Sequence, residues 1–170
     1  MHIHLKVVMK IRWMQKIEMF LKEILKKKFA VLGVGSNLRG DDGVGPYISE
    51  ILSEYNSDSF LSINGDLVPE NFTHDLKEFN PNYVLIIDAA FLGKSPGEVE
   101  LIKANAIKNV SFSSHSMPLS ILGKYLEQKI GASIYIMGIQ AKSLDFGSDM
   151  SEEVKKSADR LIDIFKKELT

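Results

Sequence analysis

A chain of 170 residues, 45% hydrophobic and 25% charged, is long enough to bury one core and too ordinary in composition for disorder or low-complexity repetition. A formal charge of −1 gives no global reason to expect nucleic-acid binding. The absence of cysteine removes disulfides, thiolate metal sites and cysteine nucleophiles, and leaves His/Asp/Glu metal chemistry open.

Neutrality here is a balance of opposites. Residues 1–28 hold eight Lys/Arg against two Glu, a charge of +6, and residues 29–170 hold 13 against 20, a charge of −7. From Arg12 to Lys27 the residues Trp13, Ile17, Phe20, Leu21, Ile24 and Leu25 recur at helical spacing with lysines opposite. That stripe suits a membrane surface or, more commonly for one short basic helix, the domain that follows. No apolar run is long enough to span a membrane, and a signal peptide's apolar block is missing, so a cytoplasmic protein is expected. The chain thus divides into a basic amphipathic extension, residues 1–28, and one domain, residues 29–170.

The run from Phe29 to Val34 reads as a buried strand that ends in the glycine-rich loop Gly33 to Gly45. Val44, Tyr47, Ile48, Ile51 and Leu52 then line one face of a helix that exits at Asn56. A short strand at Phe60–Ile63 and a helix around Glu70–Phe79 follow. Tyr83 to Ile87 is the most apolar strand of the chain and stops at Asp88. A strand at Glu98–Ile102, a helix at Pro118–Lys129, a strand at Ser133–Ile139 and an amphipathic helix at Glu152–Lys167 complete the chain. This alternation predicts a three-layer α/β fold: a central, mostly parallel twisted sheet of about five strands with helices on both faces.

Ligands of such sheets bind outside the carboxyl ends of the strands. Three loops qualify: Gly35–Gly45, Asp88–Gly93 and the polar stretch Ser113–Ser116. Several motifs in them fail. Gly33-Val34-Gly35 has Leu38 where a dinucleotide loop needs its third glycine. Gly93-Lys94-Ser95 ends like a phosphate loop, but Asp88 replaces the first glycine and Pro96-Gly97 follows where the helix should start. Gly93 to Gly97 also fits a nucleophile-elbow expression, yet a strand follows it instead of a helix. A Ser36, Asp88, His115 triad can be drawn only on paper.

What survives is Asp41, Asp42, Asp88 and His115, spread over the three loops. Either acid of the Asp41-Asp42 pair could merely cap the helix near Gly43, Asp88 could be held by loop amides, and His115 could be an ordinary hydrogen-bonded loop histidine. Alternatively two carboxylates and an imidazole form an open site for a borderline divalent metal such as nickel or zinc. His2 and His4 lie in the basic terminus, and His74 faces outward from its helix.

Gly33-Val34-Gly35 through Gly40-Asp41-Asp42-Gly43-Val44-Gly45, then Ile87-Asp88-Ala89, Ser114-His115-Ser116-Met117-Pro118-Leu119 and Gly138-Ile139-Gln140, resemble the ordered motifs of the hydrogenase maturation endopeptidases. The likeness runs from about Phe29 to the C-terminus and is nearest to the hydrogenase-3-type and archaeal group. It implies a cytoplasmic endopeptidase that removes the C-terminal extension of a nickel-iron hydrogenase large-subunit precursor after nickel insertion. Asp42, Asp88 and His115 would be catalytic and would contact the nickel, which arrives on the precursor and is the recognition element. Ser36 stands where the family often has Asn, and Ala141 where Pro is common. Two other functions compete with this reading: a non-catalytic nickel-dependent binding module or chaperone for the same precursor, and a two-metal aminopeptidase, for which a second ligand cluster is missing.

Overall fold

The computed structural model describes residues 2–107, 111–112 and 118–170, with side chains from Arg12 onward. Strand β1 (Phe29–Gly33) is buried at every position, as a strand with neighbours on both edges and helices on both faces must be. It pairs in parallel with β2 (Phe60–Asn64) on one side and β3 (Tyr83–Phe91) on the other. β3 in turn pairs in parallel with β6 (Ser133–Gln140), and β4 (Val99–Lys103) closes the far edge antiparallel to β6. The path β2-β1-β3-β6-β4 is the expected five-strand sheet, and a two-residue strand, β5 (Ser111–Phe112), adds a short antiparallel pairing to the end of β3.

Side-chain alternation along the strands divides the core into two layers. Phe29 and Val31 of β1 and Leu85 and Ile87 of β3 face helices α1 (His2–Ile24), α2 (Val44–Leu52) and α5 (Glu152–Leu169). Ala30, Leu32, Val84 and Ile86 face α3 (Thr73–Phe79) and α4 (Leu119–Ile130). α5 turns Val154, Ala158, Leu161, Ile162 and Phe165 inward, and Phe165 meets Phe29 and Phe60 with ring centroids 6.3 and 6.4 Å away. α1 begins ten residues before the expected Arg12 and seats Ile17, Leu21 and Ile24 in the same layer. Core packing, not a lipid surface, is therefore what its stripe serves. Among the described residues no helix is long and apolar enough to cross a membrane.

Most expected elements stand within one or two residues of their predicted limits. The segment around Glu70 is a 3-10 turn (Pro69–Phe72) leading into α3, which ends where Asn80 adopts the left-handed φ of 54°. The largest correction is β3, which does not stop at Asp88. Pairing with β6 continues to Ala90↔Gln140, so Asp88 is a buried residue inside a central strand.

Candidate functional site

Two consecutive acids occupy the 3-10 turn Gly40–Gly43, between β1 and α2. Both are buried, with exposures of 1% for Asp41 and 0% for Asp42. A carboxylate taken out of water needs donors or a cation, and the two meet that requirement in opposite ways. Asp41 is saturated. Its Oδ2 accepts the amides of Lys142 and Ser143 at 2.7 and 3.1 Å and the Ser151 hydroxyl at 3.0 Å, while Oδ1 accepts the Ser151 amide at 2.7 Å. It ties the β1–α2 turn to the segment between β6 and α5. Asp42 Oδ2 accepts one bond, from the Ser36 amide at 3.1 Å. Its Oδ1 is buried and has no hydrogen-bond partner among the described residues. Neither acid caps α2, whose N-cap is Gly43 with no side-chain bond, so the capping role open to them in the sequence is not used.

The turn is pressed onto the ends of β1 and β3. The Val34 amide donates to the Ile87 carbonyl at 2.9 Å, which carries the β1–β3 pairing up to the residue before Asp88. Gly35 has φ +133°, and a Cβ there would collide with the Asp42 carbonyl; one on Gly45 would strike the Val34 and Ile87 carbonyls. Glycine is required at both positions because the backbones touch. Asp88 follows Ile87 in β3, fully buried, and shares the strand parity of Val84 and Ile86. It therefore belongs to the α3–α4 face, at the end of the sheet from which α4 departs. Its neighbour across β6 is Gly138, which contributes no side chain beside it. Among the described residues no group of three or more His, Asp or Glu side chains could hold a metal. His115, the third candidate, lies outside the described residues.

The donor chemistry fits a cation. A buried carboxylate oxygen with no partner among the described residues is an uncompensated acceptor that a ligand or ion would complete. Carboxylate oxygens are hard donors, and a borderline divalent metal would need the imidazole nitrogen of His115 beside them.

One supporting loop is absent from the sequence reading, and Gln140 appears there only as part of a motif, without a role. A fourth loop joins the site: the Gly65 amide donates to Gly33 O at 2.7 Å and the Gly35 amide to Asp66 O at 3.0 Å, with Asp66 in the left-handed region at φ 50°. Asn64-Gly65-Asp66 is a turn signal that could have placed it there. Gln140 ends β6 and clamps the connection after β3, its Oε1 accepting the Leu92 and Lys94 amides at 2.7 and 3.3 Å. The nucleophile-elbow expression lacks its helix, and the drawn triad has its histidine outside the described residues. Gly93–Gly97 leads into β4, and the Ser36 hydroxyl accepts the Leu38 amide. His74 is indeed exposed on α3, 3.9 Å from Glu78.

A mostly parallel sheet covered on both faces, with buried acids at the carboxyl end of its strands, makes this an α/β protein with its candidate site at the end of the sheet. The hydrogenase maturation protease family model matches residues 46–168. A Methanocaldococcus jannaschii relative described as a hydrogenase maturation protease is 45% identical over 154 residues, 85% of this chain and 90% of its own. The hydrogenase 3 maturation protease of Escherichia coli K12 is 32% identical over 130 residues, 76% and 83% of the two chains. Among solved structures, the [NiFe] hydrogenase maturation protease HycI of Thermococcus kodakarensis superposes with a TM-score of 0.80 at 27% identity, covering 88% of this chain and 98% of its own. The endopeptidase HycI of Escherichia coli does so at 0.70 and 30% identity, covering 80% and 87%. The chain belongs to the hydrogenase maturation protease family, and it is a hydrolase.

Proposed function

We propose that this endopeptidase removes the C-terminal extension of a nickel-iron hydrogenase large-subunit precursor, in the cytoplasm, and recognises the nickel already inserted there. The observation that carries the reading is the open Asp42 oxygen, buried at the end of the sheet beside the strand that bears Asp88, next to an Asp41 whose oxygens are all engaged. Asp41 builds the turn, and Asp42 is kept for a ligand.

Nickel is part of the substrate in this reading. Asp42, Asp88 and His115 supply oxygen and nitrogen contacts to a metal whose thiolate ligands come from the precursor, which suits an enzyme without cysteine. The nickel supplies Lewis acidity to the scissile carbonyl or to the attacking water. Water adds to the carbonyl carbon, one carboxylate takes its proton, and the proton passes to the amine as the C–N bond breaks. Gln140 and Asp41 hold the surrounding loops.

The test is to incubate the purified protein with precursor, with and without nickel, and to measure the mass of the large subunit. The expected result is a truncated product from nickel-loaded precursor only. Asp42→Ala, Asp88→Ala and His115→Ala should fold and lose this cleavage. Near-normal processing by all three would overturn the site.

A further inference from the structure

The sheet has two lateral edges, β2 and β4, and the chain treats them differently. An open edge strand presents unpaired N–H and C=O groups, which native proteins ordinarily seal or blunt. Along β2, Ser59 O and the Gly65 amide are bonded to β1, so alternation turns the N–H and C=O of Phe60 and Ser62 outward. The chain covers them itself. The Asn56 side chain accepts the Ser62 amide at 2.7 Å and donates to the Ser62 carbonyl at 3.4 Å, and the Ser57 amide donates to Phe60 O at 2.8 Å. The β4 edge is bare. There the Gln140 amide donates to Glu98 O at 2.8 Å, so Glu100 and Ile102 face β6 and Val99 and Leu101 turn N–H and C=O outward. Among the described residues nothing bonds these outward groups.

A groove of about 370 Å³ lies between this edge and α1, walled by Trp13, Ile17 and Phe20 from the helix and by Val99 and Leu101 from the strand. A second hollow, of about 570 Å³, adjoins it through Trp13 and Lys16 and is lined also by Arg12 and Met19. The charge around them is positive. Arg12, Lys16, Lys94 and Lys103 stand against Glu100, which already pairs with Lys94 at 3.7 Å. Arg12, Lys16 and Lys103 are exposed and have no ion-pair partner among the described residues. We infer that the β4 edge and the α1 groove together dock an extended acidic segment of a partner protein, which joins the sheet as a further strand. Its backbone bonds Val99 and Leu101, apolar residues at every second position enter the groove, and carboxylates at the rim answer the unpaired cations. The five residues of β4, at about 3.4 Å each, span about 17 Å, enough for a strand of about five residues. A second copy of the chain is the poorer occupant, because it would bring the same cations against these. β4 lies two strands from β3 and Asp88, so the proposal stands apart from the proteolytic reading.

Trp13 is the only tryptophan of the chain, so its fluorescence reports the groove directly. The experiment titrates the full chain with two short synthetic peptides, one alternating valine with glutamate and the other valine with lysine. Trp13 emission should shift saturably, with the glutamate peptide bound roughly 10-fold tighter, the effect of three exposed charge pairs at about twofold each. Lys16→Glu/Lys103→Glu should reverse that order. The glutamate peptide should also slow amide hydrogen exchange at Val99 and Leu101 and leave Glu100 and Ile102, which face β6, unchanged. No saturable shift, equal affinity for the two peptides, or unchanged exchange at Val99 and Leu101 overturns the proposal. So does concentration-dependent dimerisation of the wild type that itself slows exchange at Val99 and Leu101, since a second copy would then hold the edge. If the double variant does not fold, the two peptides and the exchange pattern on the wild type carry the same test.

Discussion

Asp41 and Asp42 are adjacent, equally buried and chemically identical, and the same substitution should move them in opposite directions. In Asp41→Asn the amide oxygen can take the side with three donors, from Lys142, Ser143 and Ser151. The NH2 group then faces the Ser151 amide, whose nitrogen lay 2.7 Å from Oδ1. One hydrogen bond to a charged acceptor, worth about 1.5–3 kcal/mol, becomes a donor against a donor, and the other three weaken to neutral strength. We expect a loss of about 3 kcal/mol, which for a chain of this size lowers Tm by about 6–12 °C. In Asp42→Asn the oxygen keeps the Ser36 amide, and the NH2 replaces an atom that had no partner among the described residues. No bond is lost and a buried charge disappears, so stability should hold or rise by about 1 kcal/mol. Cleavage of nickel-loaded precursor should nonetheless fall at least roughly 100-fold, equivalent to about 2.7 kcal/mol of barrier, because an amide is a poor metal ligand and no proton acceptor. Urea unfolding, thermal scans and product mass read all three quantities. Equal stability losses in the two variants, or a larger loss in Asp42→Asn, would refute the division of roles.

Gly35→Ala introduces a Cβ against the Asp42 carbonyl at φ +133°. It should cost about 2–4 kcal/mol and abolish processing, read by thermal scan and product mass. Gln140→Ala removes the acceptor of the Leu92 and Lys94 amides, so hydrogen exchange at those two positions should quicken, with a stability loss of about 1–2 kcal/mol. Tyr47 donates to Asp159 at 2.7 Å, and that bond, then burial and the Asp159 charge, hold its pKa above the ordinary 10.0. The folded state thus favours the protonated phenol, and the stabilisation is complete below pH 10 and fades as pH rises through the raised value. Wild type should exceed Tyr47→Phe by about 0.5–1 kcal/mol in urea at pH 8, discounted for solvent around the pair, and the difference should vanish in strong alkali.

Elements whose signal is local were legible. Phe29 to Gly33 reads as a strand because it is apolar without a break, and α2 was fixed by its period from Val44 to Leu52. The pattern ends β3 at Asp88 because an acid is unexpected inside a central buried strand. It continues because Ala89 and Ala90 find partners in Ile139 and Gln140, some fifty residues away. β5, two residues long, carries no periodicity to read. The antiparallel direction of β4 is set by pairing to β6, which no local pattern encodes. At the site, the sequence offered both acids of the turn and left capping open for either. Their separation depends on donors at Lys142, Ser143 and Ser151, about a hundred residues downstream. Type and spacing locate a candidate acid; only the distribution of its hydrogen bonds tells a structural carboxylate from one kept open.

That distribution also bears on how the proposed substrate is selected. Residues 29–170 carry −7, Asp42 included, and a buried carboxylate without full compensation disfavours the resting site. The open Asp42 oxygen is a cost that a docking cation removes. On the proposed reading, precursor without nickel leaves that oxygen uncompensated beneath the bound chain, farther from water than before. Discrimination then comes from the difference between two complexes with the same polypeptide, one of which completes the acids. Asp42→Asn should therefore bring the affinities for loaded and unloaded precursor together, measured by binding titration with each; a retained preference for loaded precursor would refute this.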